Sequence, residues 1–270
     1  MLEFISSLLD GAADILEKYR GRMTGGDIGF KSRRDLITVA DSESERYIVE
    51  RIRERFPDDS IYAEEEERQT RDPSRWWFVD PLDGTINFAH NLPMYGISVA
   101  LWERGDMRYG GIYAPALEEK YLAEAGQGAY KNGTRIHVSD TTELADALVA
   151  TGFSYNRLEL TNNNVEALAY YLMRCRCIRR AGAASLDLAW LAAGKLDAFW
   201  EAYLGPWDVA AGLVLIREAG GRVSDYQGGE DYLFGENFVA SNGRLHDEFA
   251  GNLPPLDPGT ATRFTPPEMR

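Results

Sequence analysis

The chain has 270 residues, enough for one large domain or two small ones sharing a core, and its 44% apolar content is that of an ordinary globular protein. A balance of 29 basic against 43 acidic residues gives a net charge of −14, which opposes general binding to nucleic acid or to anionic lipid. No uncharged apolar run reaches the roughly 18 residues of a membrane span, and the N-terminus has no basic segment followed by an apolar stretch, so a cytoplasmic protein without a membrane partner is expected.

The first element is an amphipathic helix over Leu2 to Tyr19, with Leu2, Ile5, Leu8, Leu9, Ala12, Ile15, Leu16 and Tyr19 at helical spacing. Gly21 to Gly29 holds four glycines and reads as a mobile stretch, and a second helical pattern runs from Ser42 to Phe56, before Pro57. Strand-like runs follow at Ser60 to Ala63, Trp76 to Val79, Gly96 to Trp102, Met107 to Tyr113 and Lys120 to Glu124, which suggests an antiparallel sheet. Asn132-Gly133 is a strong hairpin signal. Gly126-Gln127-Gly128 opens no helix and is not taken as a dinucleotide fingerprint.

From Asp140 onward strands and helices alternate, with helices at Asn162 to Met173, Ala183 to Ala193 and Val209 to Ala219, and this argues for an α/β half. Five prolines after Leu253 predict an extended or flexible tail over 253–270. Cys175 and Cys177 read as buried or half-buried thiols on a strand, and His90, His137 and His246 are scattered, so no zinc ligand set forms.

The chemistry lies in acids at element ends. The buried strand Trp76-Trp77-Phe78-Val79 delivers Asp80, and a turn with Pro81 and Gly84 returns Asp83 beside it. Like charges held so close resist joint ionisation unless a cation lies between them, and an all-oxygen set suits Mg²⁺, Ca²⁺ or Mn²⁺. Gly84 to Asn87 could open a short helix whose free N–H groups face an anion. The competing reading is an Asx-turn with Asp83 as helix N-cap. Asp-Pro-x-Asp-Gly-Thr should arise by chance in about one chain in several thousand of this length, so the longer motif is specific.

Asp80-Pro81-Leu82-Asp83-Gly84-Thr85-Ile86-Asn87-Phe88, with Trp207-Asp208-Val209-Ala210-Ala211-Gly212 downstream, resembles the two signatures of the inositol monophosphatase family. The likeness extends through Lys31 to Asp41, Glu64-Glu65, Asn132-Gly133, Ala150 to Phe153 and Arg180 to Gly194, nearly the whole chain except the tail. The resemblance implies a layered αβαβα sandwich of the sugar-phosphatase type, with an N-terminal α+β domain over 1–140, a C-terminal α/β domain over 141–252 and the active site between them. It implies a lithium-sensitive phosphatase with two or three Mg²⁺ ions per site, and a homodimer. Glu64, Asp80 and the Leu82 carbonyl would hold one ion, and Asp80, Asp83 and Asp208 a second.

Read alone, Glu64 to Glu67 is a solvated acidic run. The resemblance overturns this for Glu64, with Glu65 behind it, and leaves Glu66 and Glu67 on the surface. The implied reaction is attack of an activated water on a phosphate ester, with Thr85 and Asp41 orienting that water and taking its proton. Asp41 could equally be an N-cap of the helix at Ser42. Asp83, Gly84, Thr85, Gly182, Ala183, Glu201 and Asp208 would contact substrate, Glu201 by accepting hydroxyl hydrogens.

The small phosphorylated substrate is then inositol 1-phosphate, against fructose 1,6-bisphosphate, histidinol phosphate or 3′-phosphoadenosine 5′-phosphate. Arg179 and Arg180 keep a bisphosphate open. An alternative of another class is a regulatory protein that binds transcription machinery through protein partners.

Overall fold

The computed structural model describes residues 1–32, 35–65, 70–160, 162–235 and 237–253. Residues 254–270 of the expected tail, and Glu66 and Glu67, lie outside them. Helix α1 (Leu2–Tyr19) buries Ile5, Leu8, Leu9, Ala12 and Leu16, the stripe its spacing predicts. A short 3-10 turn at Gly25–Asp27 then leads into an antiparallel hairpin of β1 (Ile28–Ser32) and β2 (Asp35–Thr38), in the stretch whose glycines give no strand signal.

Helix α2 (Val39–Arg55) starts three residues before the expected Ser42. The cause is a reciprocal cap: the Thr38 N–H donates to Asp41 Oδ2 at 2.8 Å while the Asp41 N–H reaches Thr38 Oγ1 at 3.4 Å. Asp41 therefore stands inside the first turn, and Thr38 is the N-cap.

The next elements are β3 (Asp59–Ala63), β4 (Asp72–Asp83), the short α3 (Thr85–Ala89), β5 (Gly96–Glu103), β6 (Asp106–Ala114), β7 (Glu119–Glu124), β8 (Gly128–Lys131) and β9 (Thr134–Ile136). These seven strands form one sheet in chain order, parallel between β3 and β4 and antiparallel elsewhere. Asn132 and Gly133, at φ 47° and 79°, make the β8–β9 turn as their dipeptide predicts.

The second half runs β10 (Leu148–Thr151), α4 (Val165–Leu172), β11 (Cys177–Arg179), α5 (Ala184–Ala192), β12 (Ala198–Ala202), α6 (Pro206–Glu218), β13 (Arg222–Ser224), β14 (Asn237–Ser241) and α7 (His246–Ala250). Its five strands are ordered β11-β10-β12-β14-β13, with the first three parallel. Cys177 on β11 is exposed, and only Cys175 is half-buried.

Strand alternation builds the layers. Trp77 and Val79 of β4 pack with Val99 against Ile5, Leu9 and Ile48 of α1 and α2. Trp76 and Phe78 point the other way, into a core with Leu188, Leu191 and Val214 of α5 and α6, which on their far side meet Phe199, Phe238 and Ala240 of the second sheet. The opposite face of that sheet carries Val149, Trp200 and Val239 against Tyr171 of α4 and Phe249 of α7. The order is helix, sheet, helix, sheet, helix: an αβαβα sandwich. Both tryptophans of β4 are core residues. Among the described residues no helix is long and apolar enough to cross a membrane.

The middle layer sits close on the first sheet because β6 has no side chain at Gly110. A Cβ there would lie 2.6 Å from the Ala211 carbonyl oxygen of α6. Gly110→Ala should therefore destabilise the protein by about 1–3 kcal/mol through overpacking. A lower urea midpoint at unchanged slope is the expected readout.

Candidate functional site

The cavity that collects the acids opens where β3 and β4 end and where α5 and α6 begin; its volume is about 430 Å³. Two carboxylates three residues apart on a regular strand would face opposite ways. On β4 they do not, because Asp80 pairs with Ser98 and Asp83 with Gly96, so β4 carries one extra residue across a bulge and the parity is reset. Gly84 closes the turn at φ 85°, where a Cβ would meet the Met94 carbonyl oxygen at 2.9 Å. Gly84, and not Asp83, is the N-cap of α3.

Asp208 arrives from far along the chain as the third residue of α6. Pro206 opens that helix, and the Gly205 N–H donates to Asp208 Oδ2 at 2.6 Å. One carboxylate oxygen each from Asp80, Asp83 and Asp208 lies within 4.8 Å of the others. Asp80 is buried and, among the described residues, accepts only the Leu82 N–H, at 3.0 Å. Asp83 Oδ2 accepts the Ser185 N–H at 2.6 Å and its Oγ–H at 2.5 Å, a pair of bonds from the first turn of α5.

Burial, followed by the field of the neighbouring acids, pushes the Asp80 and Asp208 carboxyls well above their ordinary range. Burial also raises Asp83, and the Ser185 donors act against it. Three hard oxygen donors whose charges repel inside the protein are a fit for a divalent cation such as Mg²⁺.

Glu64 follows β3 and lines the same cavity, but it stands outside this trio. Its Oε1 accepts from Lys31 Nζ at 2.9 Å, and Lys31 also reaches Glu65 at 2.5 Å. Burial pulls Lys31 down, yet the two glutamates outweigh it and hold the ammonium above its usual value. Glu65 is raised to about 8 by burial and by Glu64, and the buried Glu45 binds its backbone N–H at 2.9 Å.

Thr85 and Asp41 meet as expected: Thr85 Oγ1 stands 3.1 Å from Asp41 Oδ1 and 3.1 Å from the Leu82 carbonyl, and its single hydrogen serves one of them at a time. Burial lifts Asp41 to about 6 against the hydrogen bonds from Thr38.

The opposite wall holds Gly182, Ala183 and Glu201. Gly182 takes φ 89°, and Asn87 Nδ2 donates to the neighbouring Ala181 carbonyl at 2.9 Å, which ties this loop to α3. Glu201 of β12 is raised to about 8 by burial, with Arg180 drawing it down and Asp83 pushing it up. It fits only because residue 152 is glycine, where a Cβ would lie 2.1 Å from the Glu201 carboxylate oxygens. Arg180 lines the cavity, whereas Arg179 is exposed and turns toward Cys177.

Sequence reasoning missed Ser185, Asn87, Gly152 and Asp187. All four lie inside stretches that carry the family likeness, but nothing local gives their side chains a role; Ser185, Asn87 and Gly152 act on groups remote in the chain.

The sequence profile described as the inositol monophosphatase family matches residues 1–255. A Thermotoga maritima protein named fructose-1,6-bisphosphatase/inositol-1-monophosphatase is 42% identical over 249 residues, 92% of this chain and 93% of that one. Nus factor SuhB of Escherichia coli (strain K12) is 38% identical over 224 residues, 83% of this chain and 84% of its own length. The structure of inositol monophosphatase from Anabaena (Nostoc) sp. PCC 7120 superposes with a TM-score of 0.84 at 36% identity, covering 93% of each chain.

The raised carboxyls carry a stability signature. Their folded pKa values exceed the ordinary 3.8, so their contribution is fully present below about pH 4 and is lost as pH rises through the raised values. Without divalent cations, Asp80→Asn should stabilise the protein by on the order of 1–3 kcal/mol at about pH 8. The Asn side chain keeps the acceptor for the Leu82 N–H. Thermal melts in chelator and in Mg²⁺ should show this gain together with loss of the Mg²⁺-induced rise in Tm.

Proposed function

The chain belongs to the inositol monophosphatase family, a family of phosphatases, and from that premise we propose that it hydrolyses phosphate monoesters of polyols with Mg²⁺, inositol 1-phosphate first among them. The observation that carries this reading is the convergence of Asp80, Asp83 and Asp208 within 4.8 Å beside the Thr85–Asp41 hydrogen bond.

These three carboxylates, with Glu64 and the Leu82 carbonyl, would hold Mg²⁺, which when bound would neutralise charge on the phosphoryl group and lower the pKa of a water. The remaining work falls to the protein. Thr85 Oγ1, while donating to Asp41 Oδ1, keeps lone pairs that accept a hydrogen from the attacking water and so aim its oxygen at phosphorus. As the water loses its proton to Thr85 Oγ1, the threonine hydrogen moves to Asp41 Oδ1, whose raised pKa suits a proton acceptor near neutral pH; the new P–O bond forms as the P–O bond to the alcohol breaks, and the leaving oxygen takes a proton from solvent water. Ser185 keeps Asp83 in place through two hydrogen bonds.

On the other side of the cavity Glu201, Gly182 and Ala183 receive the alcohol, Glu201 as acceptor of its hydroxyl hydrogens. A second reading, a sugar bisphosphate, is favoured by Arg180 in the cavity wall and by the double name of the Thermotoga relative. We rank it second because Glu201 and Asp187 share the field of Arg180 and would repel a further phosphate. A purely regulatory role would not require the acid set to be complete.

The test is phosphate release from inositol 1-phosphate, fructose 1,6-bisphosphate, histidinol phosphate and 3′-phosphoadenosine 5′-phosphate, with Mg²⁺ present and Li⁺ titrated. Inositol 1-phosphate should give the highest kcat/KM, and release from none of the four would sink the reading. Asp83→Asn should lower kcat at least about 100-fold by removing a ligand charge. Thr85→Ala should cost about 10²–10⁴-fold in kcat while Mg²⁺ binding persists; an unchanged kcat would refute the proton route.

A further inference from the structure

Asp187 has no place in the reading above except as a neighbour. It sits in the first turn of α5, its side chain is 2% exposed, and it lines the cavity on the wall of Glu201 and Arg180. Its Oδ1 is fully buried and has no hydrogen-bond partner among the described residues. Buried polar groups are almost always satisfied, because leaving one unmade costs about 1–3 kcal/mol. A water-sized group cannot reach Oδ1, so the oxygen open to a donor arriving with a ligand is Oδ2, which has no hydrogen-bond partner among the described residues and belongs to a side chain that lines the cavity.

The surroundings say what kind of donor. Glu201, 9% exposed, lines the same wall with its oxygens against Gly152, and its charge makes it harder for Asp187 to hold one. Arg180 attracts both without forming an ion pair with either. A second dianionic group would meet two carboxyls here. A neutral hydroxyl pair would instead give each carboxyl a hydrogen to accept and could take one from Arg180.

We propose that Asp187 is a specificity-determining residue that, with Glu201, accepts hydrogens from two separate hydroxyls of the alcohol, so that the cavity selects phosphate esters of polyols over esters of simple alcohols. This rests on the reading that the alcohol lies against Glu201. Gly152 becomes part of the same device, since any side chain there would displace Glu201 from the pair.

The experiment compares Asp187→Ala, which removes the acceptor, with wild-type protein on inositol 1-phosphate and on phenyl phosphate, an ester without hydroxyls, at saturating Mg²⁺. The kcat/KM for inositol 1-phosphate should fall about 10-fold or more, mainly through KM, while that for phenyl phosphate stays within about 2-fold. Asp187→Val, closer in volume and without an acceptor, serves as a second variant should the first fold poorly, and its expected pattern is the same. An equal loss on both esters would assign Asp187 a structural role and overturn the proposal. So would no change on either. Wild-type protein inert on both esters would overturn the phosphatase reading itself, and that result is separate from retained activity without discrimination.

Discussion

The repulsion among Asp80, Asp83 and Asp208 is the constraint around which the rest of the structure is arranged. A protein interior disfavours three crowded carboxyls, one buried and two half-buried, and their raised pKa values record that cost. They persist together because each is fixed by a different element: a strand end, a bulged turn, and a capped helix. No single element can relax to separate them. The bulge on β4 turns Asp83 to the same side as Asp80, the αL glycine at 84 lets the chain turn directly into α3, and the first turn of α6 uses Asp208 for its own backbone N–H. Capping gives the acid a structural reason to stay where electrostatics disfavour it.

Helix starts are the recurring device. The first turns of α3, α5 and α6 line the cavity, and that of α2 joins through Asp41 and Thr85. Free N–H groups and the positive ends of the helix dipoles therefore gather at one place, which lowers the cost of the acids and suits an anionic substrate. The five-layer order makes this geometry available, since α5 and α6 lie between the sheets and begin on the edge where β4 ends. Small residues such as Gly110 permit that middle layer to approach the strands without pushing the site open.

How much of this is legible in sequence depends on whether the signal is local. The stripe of α1, the strand of Trp76 to Val79, the Asn132-Gly133 turn and the two acidic signatures are local patterns, and they are found where they are expected. The start of α2 is displaced because the cap is Thr38 working with Asp41, while Asp41 beside Ser42 is an equally plausible cap by eye. The β1–β2 hairpin is hidden because its first strand begins at the end of the glycine-rich stretch from Gly21 to Gly29, and the parallel pairing of β3 with β4 is a property of topology. Glu64 is indistinguishable from its acidic neighbours until the fold brings Lys31 to it. Asp187 is one acid in an alanine-rich helix. Its meaning appears only with the absence of a partner among the described residues and with Glu201 on the same wall of the cavity.

Net charge poses the last problem. Among the described residues the cavity is lined by seven carboxyl side chains, Glu64, Glu65, Asp80, Asp83, Asp187, Glu201 and Asp208, against two basic ones, Lys31 and Arg180. Lys31 is already engaged by Glu64 and Glu65, and the chain as a whole is at −14. A phosphate dianion approaching these described side chains alone meets more acids than bases. Divalent cations would reverse that balance at one end of the cavity only, because the close trio is confined there. The far end would stay acidic around Arg180. One cavity would then have a pole for the phosphate and a pole for hydroxyl hydrogens, and that polarity, set by where acids cluster closely and where they stand apart, orients an ester before any single contact is made.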